Sequence, residues 1–147
     1  MRVLLQRVSR AEVRVGRSVP GSIGPGLLAL VGVGPWDTVE TASTMADKAV
    51  DLRIFRDDEG LTNRSLIEVR GQMLVVSQFT LYADTRKGRR PSFVYAAAPE
   101  LAARIVESFA MAVESRGIVV GRGVFGAEMA VDLVNDGPMT IWLDSDT

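Results

Sequence analysis

The stretch from Leu27 to Val33 reads Leu-Leu-Ala-Leu-Val-Gly-Val, with no polar side chain in seven positions. A strand of that composition has no face to turn toward water, so it belongs at the centre of a sheet covered on both sides. Turn formers bracket it: Pro20-Gly21-Ser22-Ile23-Gly24-Pro25-Gly26 before, Gly34-Pro35 after. The rest of the chain must supply neighbouring strands and the helices that cover them.

Two segments read as those helices. Asp37 with Glu40 three residues on resembles a capping box and opens a helix to about Asp51. Its Val39, Ala42, Ala46, Ala49 and Val50 form one apolar stripe, which reads as core. Pro99 suits the first turn of a second helix that turns Leu101, Ile105, Phe109 and Val113 inward and stops at Gly117. Strands are expected at Met1 to Val8, Glu12 to Val15, Leu27 to Val33, Arg53 to Phe55 and Met73 to Thr80. Ile118 to Val120, Met129 to Val134 and Met139 to Leu143 complete the set. The order is β-β-β-α-β-β-α-β-β-β: an α/β chain with a mixed, barrel-like sheet and two main helices. With 147 residues, 47% of them hydrophobic, residues 1–147 fit one domain with a core of its own. The longest apolar runs are too short to span a bilayer. Charges at Arg7, Arg10, Glu12 and Arg14 interrupt the N-terminal region, so no signal core is expected there and the reading is a cytoplasmic protein.

The chain contains no cysteine and no histidine. Disulfides, thiol nucleophiles, Ser-His-Asp and Cys-His catalysis and imidazole acid–base chemistry are thereby excluded, and no metal or cofactor is expected. Chemistry must rest on carboxylates, lysine, hydroxyls, backbone dipoles or a group that the substrate brings.

Two features look like sites for other ligands and are read as structural. Asp57-Asp58-Glu59-Gly60 lacks the further oxygen ligands of a calcium loop. Gly121-Arg122-Gly123-Val124-Phe125-Gly126 has the spacing of a dinucleotide fingerprint, but the period-two run Met129 to Val134 follows it where a helix is required. Those glycines suit a tight bend between strands.

Two polar clusters remain. In the first, an apolar strand ends in Ser77, Gln78 and Thr80, and a loop with Arg86, Lys87, Arg89 and Arg90 and no carboxylate among them follows. Net charge is only −1, yet a local cationic loop can grip a few phosphates. The second, Asn135-Asp136-Gly137-Pro138-Met139-Thr140, sits between the last two expected strands, where its residues suit a hairpin turn. Taken alone, these residues leave three readings open: an active site for a phosphate-bearing substrate, a non-catalytic RNA-binding module, or a small-molecule esterase or amidase.

Taken together, Ser77-Gln78-Phe79-Thr80-Leu81 and Asn135 to Thr140 resemble the D-aminoacyl-tRNA deacylases (the D-tyrosyl-tRNA deacylase family). The resemblance runs through Gln6-Arg7-Val8, Gly24, Gly26-Leu27-Leu28, Arg53-Ile54-Phe55, Gly60, Asn63, Pro91-Ser92-Phe93 and Phe125-Gly126. Met139 stands where the family more often carries valine, which bears on the shape of the pocket rim and not on its backbone. The resemblance implies hydrolysis of the ester joining a D-amino acid to the terminal ribose of tRNA, a chiral proofreading step in translation. The adjacent ribose hydroxyl can assist water, so the enzyme acts by positioning and oxyanion stabilisation. Ser77, Gln78, Phe79 and Thr80 are the expected catalytic set, with Thr80 as a hydrogen-bonding member, since nothing supplies it with a base. Arg86, Lys87, Arg89 and Arg90 are expected to hold the tRNA acceptor end. The resemblance further implies a Gly137-Pro138 cis peptide that, with Met139, rejects L-residues. It implies a homodimer in which Gly137-Pro138 of one subunit reaches the Ser77–Thr80 site of the other, with Arg7 bracing the motif. Glycine has no side chain to reject, so glycyl-tRNA, including glycine mischarged on the alanine tRNA, should pass as a substrate.

Overall fold

A computed structural model describes all 147 residues. The strands are β1 (Arg2–Val15), β2 (Ser18–Ile23), β3 (Gly26–Gly32), β4 (Phe55–Arg56), β5 (Thr62–Arg64), β6 (Gln72–Ser77), β7 (Val120–Arg122) and β8 (Ala130–Asp144). The helices are α1 (Val39–Asp51) and α2 (Pro99–Ser115), and a 3-10 turn spans Phe79–Tyr82. The expected class holds: a mixed α/β fold with a barrel-like sheet and two main helices. The order of elements is β-β-β-α-β-β-β-α-β-β.

The differences lie in how strands divide. Met1 to Val8 and Glu12 to Val15 are one strand, and so are Met129 to Val134 and Met139 to Leu143. β1 is long enough to serve two partners along one edge. Its first half pairs antiparallel with β3, from Arg2↔Gly32 to Val8↔Gly26, and its second half with β2, from Ala11↔Ile23 onward. Along its other edge runs the whole of β8, from Arg2↔Asp144 to Arg14↔Ala130. Pro20 to Ile23, expected to be turn, therefore lies in an edge strand, β2, held by β1. Thr62 to Arg64 also becomes a strand, paired with Phe55–Arg56.

β3 is the central strand that its composition requires. It pairs antiparallel with β1 and parallel with β6, and Leu27, Leu28, Ala29 and Val31 are all buried. β7 adds in parallel to β6. The sheet then curls almost shut, because β2 comes back against β7: a Cβ on Gly21 would sit 2.4 Å from the carbonyl oxygen of Arg122. Only glycine lets the two backbones approach that closely.

A register shift between Val8 and Arg10 makes β1 serve both cores. A one-residue slip moves every later side chain to the opposite face. Val3 and Leu5 accordingly pack under the helices, while Val8, Ala11 and Val13 join Ile23, Leu28, Leu74 and Val76 inside the curl of the sheet.

α1 begins one residue later than its sequence signal. Thr38 is the cap: its hydroxyl accepts from the Thr41 amide at 3.2 Å, and Thr41 reciprocates on the Thr38 amide at 3.1 Å. Asp37 accepts instead from the Met1 amino group at 2.6 Å and the Gly34 amide at 2.7 Å. Ala42, Met45, Ala46, Ala49 and Val50 form the buried stripe, and Val39 is exposed. α2 opens on Pro99 and buries Ile105, Phe109 and Val113, with Leu101 half-buried. Arg116 at its end ties back to Asp47 and Asp51 of α1 at 2.8 and 2.6 Å. Neither helix is long and apolar enough to cross a membrane.

The acidic turn after β4 is structural. Asp57 accepts from the amides of Glu59 and Leu61, both at 2.9 Å, and the Leu61 bond is the leading cause that holds its carboxyl below the ordinary range. No helix follows Gly121 to Gly126; the chain bends there and enters β8.

Candidate active site

Strand β6 emerges from the core at Ser77, and the backbone turns at once. Gln78 still holds to the sheet through its amide, which donates to Val31 at 2.8 Å, while its carbonyl accepts from Leu81 at 3.2 Å and starts the 3-10 turn. Phe79 and Thr80 open that turn, where the turn itself offers their amides no carbonyl. Beside them lies a cleft of about 600 Å³. Ser77, Gln78 and Phe79 form one wall, and Phe93 stands against Phe79 edge-to-face with ring centres 4.9 Å apart. Phe125 and Gly126 from the bend before β8 close the far side, and Met129 and Val131 line it further in.

The expected catalytic set is thus brought together, with distinct placements. Ser77 and Gln78 are half-buried at the cleft wall; Ser77 Oγ makes no hydrogen bond within the chain and is free for a ligand. Thr80 is exposed and does not line the cleft. Its hydroxyl is hydrogen-bonded to Gln78 Nε2, an amide that cannot act as a base. No group of three or more acidic side chains converges to hold a metal ion.

The cationic loop has a closed base, where Asp84 and Ser92 exchange backbone hydrogen bonds at 2.7 and 2.9 Å. Arg86 is not a free cation. Its Nε and Nη2 donate to the two Asp84 carboxylate oxygens, both at 2.8 Å, and Nη2 also reaches the Tyr95 hydroxyl at 3.2 Å. Arg86 holds the Asp84 carboxyl down at about 2, and Asp84 in turn pushes the guanidinium further up. The sequence expectation of four equivalent cations reduces to three: Lys87, Arg89 and Arg90 are exposed with no carboxylate within ion-pair distance.

The second polar cluster is no hairpin. β1 pairs across it, Val8 with Asn135 and Gln6 with Thr140, so β8 bulges outward over Asp136 to Met139 and then resumes. Asn135 spans the base of the bulge, donating from Nδ2 to Arg7 at 2.9 Å and to Met139 at 3.0 Å. Arg7, only 4% exposed, donates to the carbonyls of Asp136 at 3.0 Å and Ile54 at 2.6 Å. The Gly137-Pro138 peptide is cis, both residues are exposed, and Met139 packs back toward the core. None of the three lines the cleft. Val131 does, and Gly137 lies six residues further along β8, or roughly 15–20 Å at about 3.3 Å per residue. Within one chain the two motifs are separate.

Several lining residues carry no chemical signal in sequence. Ala96, Ala97, Ala102 and Met129 read as ordinary apolar positions. Phe93 and Phe125-Gly126 are found only through the family resemblance.

The profile of the family described as D-Tyr-tRNA(Tyr) deacylase matches residues 4–144. A relative named D-aminoacyl-tRNA deacylase from Roseiflexus castenholzii is 61% identical over 145 residues, covering 99% of this chain and 92% of that protein. A solved structure described as a c-Myc DNA unwinding element binding protein superposes with a TM-score of 0.92 at 37% identity, covering 98% of each chain. Another, described as a probable eukaryotic D-amino acid tRNA deacylase, gives 0.81 at 21% identity over 97% of each and bears on the fold alone. The match over nearly the whole length, with both polar motifs inside it, places the chain in the D-Tyr-tRNA(Tyr) deacylase family.

Proposed function

We propose that this protein hydrolyses the ester bond of D-aminoacyl-tRNA, releasing the D-amino acid and tRNA. The observation that carries the reading is the turn at Ser77 to Thr80. It sets a free hydroxyl, an amide side chain and two turn-opening backbone amides at a cleft, and three unpaired cations stand on the loop that follows. The ester is already an activated acyl group. Water attacks its carbonyl carbon with help from the neighbouring ribose hydroxyl. The Phe79 and Thr80 amides and Gln78 receive the developing oxyanion, and Ser77 orients the substrate end. The electron pair returns, the ribose oxygen leaves, and the proton lost by water is passed to it. Lys87, Arg89 and Arg90 take the acceptor-end phosphates.

Chirality is set by the Gly137-Pro138 bulge of a second subunit, with Met139 at its foot. The bulge is exposed, braced and out of reach of its own cleft, while Phe79 and Phe125 leave exposed apolar surface at the cleft. Backbone placed close to the substrate α-carbon collides with an L side chain and ignores the identity of a D one. Glycyl-tRNA, including that mischarged on the alanine tRNA, passes the same filter. The protein would then act as a homodimer in translation quality control in the cytoplasm.

Release of free amino acid from D-aminoacyl-tRNA tests the activity: turnover supports the reading, and tRNA binding without ester cleavage contradicts it. Mixing tests the shared site. A Gln78→Ala subunit and a subunit lacking Gly137-Pro138, each inactive alone, should regain activity together; no recovery in mixed dimers contradicts a site built from two chains.

A further inference from the structure

A second cleft, of about 460 Å³, lies beyond the first and is unused by the chemistry above. Two chain segments border both. Phe79 lines the active cleft and Tyr82, at the other end of the same 3-10 turn, lines the second; Phe93 lines the first and Tyr95 the second. The turn advances about 6 Å between Phe79 and Tyr82 at ~2 Å per residue. Stacked nucleotides advance about 3.4 Å each, so the backbone advance between these two lining residues matches one to two nucleotide steps.

The second cleft carries two exposed aromatic side chains, Trp36 and Tyr95. Trp36 projects from the loop after β3 with 90% of its surface exposed, and Tyr95 is 51% exposed. The Arg2 guanidinium lies 4.5 Å above the Tyr82 ring and is fixed by Asp144 and the Leu81 carbonyl. Arg86 locks Tyr95 through its hydroxyl. Asp146 brings a carboxylate with no cation within ion-pair distance. The free cations Lys87, Arg89 and Arg90 stand on the loop whose base, Asp84, also lines this cleft.

Aromatic faces beside a cationic track are how single-stranded nucleic acid is held without a duplex. A free carboxylate accepts from the exocyclic amino group of cytosine. On the tRNA reading, on which this inference rests, the ester enters the first cleft on the terminal adenosine, and the two unpaired cytidines precede it. We propose that the Trp36–Tyr95 cleft is a nucleobase subsite that stacks one of these cytosines, with Asp146 accepting from its amino group. The subsite would let the enzyme hold a single-stranded 3′ end independently of the amino acid attached.

The test compares two D-aminoacyl esters, one on a minihelix ending in the unpaired cytidines and adenosine, the other on adenosine alone. Trp36→Ala should lower kcat/KM for the minihelix roughly tenfold or more, mainly through KM, since base stacking is worth that much by alanine substitution. Hydrolysis of the adenosine ester should be unchanged, Trp36→Phe should recover most of the loss, and replacing cytidine by uridine in the minihelix should weaken wild-type turnover. An equal effect on both esters, or on neither, overturns the subsite. A change in sedimentation mass with Trp36→Ala overturns it too, assigning the cleft to a contact between copies. If the wild type cleaves neither ester, the deacylase reading itself has failed.

Discussion

Arg7 donates from Nε to the carbonyl of Asp136 at 3.0 Å, fastening the centre of the β8 bulge to the middle of β1. The same guanidinium reaches the Ile54 carbonyl at 2.6 Å, and Asp136 is held from outside by Arg56 at 3.2 Å. A buried cation with backbone acceptors is an unusual way to fix a loop, and it makes the bulge rigid at the point where it faces away from the protein. Arg7→Met keeps the stem and strands both carbonyls. It should cost about 2 to 3 kcal/mol, the worth of charge-assisted hydrogen bonds that leave buried partners behind. A lower urea midpoint with unchanged m-value checks this.

Gly137 lies against that guanidinium. Its φ is +132°, and a Cβ there would sit 2.5 Å from Arg7 Nη2. Gly137→Ala should destabilise by about 1 to 3 kcal/mol from the backbone alone, and more while Arg7 is pinned. In the Arg7→Met background the added penalty should shrink, so the two substitutions will not be additive. Full additivity in a double-mutant cycle would contradict the contact.

Thr80 is placed as a hydrogen-bonding partner of Gln78, exposed and outside the cleft. Thr80→Ala should lower kcat by less than about tenfold, the worth of one hydrogen bond that orients another group. Pre-steady-state kinetics should show no burst. A covalent ester trapped on Thr80 would contradict this placement.

The Asp84–Arg86 pair withholds one cation from the loop. Asp84→Asn should release it, and the dependence of log K on log salt for tRNA should steepen by about 0.7 to 0.9. The carboxyl sits at about 2, below its ordinary 3.8, so the pair's contribution is complete above about pH 4 and lost as pH falls through about 2. Between pH 5 and 9 the salt slope of the wild type should therefore not change with pH on account of this pair.

Local chemistry made the central strand and both helices legible, because Leu27 to Val33, Pro99 and the apolar stripes state their environment in their own composition. What sequence could not show was pairing between distant segments. Asn135 to Thr140 has every residue of a turn, and it becomes a bulge only because β1 pairs on both sides of it. Ser18 to Ile23 likewise becomes a strand because β1 is beside it. Asp37 has the chemistry of a cap, yet the Met1 amino group takes it. At the site, Ser77 and Gln78 stood out as polar groups ending an apolar strand. Sequence alone overcounts the free cations, because Asp84 precedes the basic run and its bond to Arg86 is made by the fold of the loop.

On the proposed reading, positioning with neither histidine nor cysteine hydrolyses D-aminoacyl esters and spares L ones. The most direct measurement is the rate of deacylation of the same tRNA carrying the same amino acid in D and L form. The D-ester should be cleaved at least about 100-fold faster, equivalent to ~2.7 kcal/mol of discrimination, with the glycyl ester also cleaved. Equal rates on the D and L esters would contradict it.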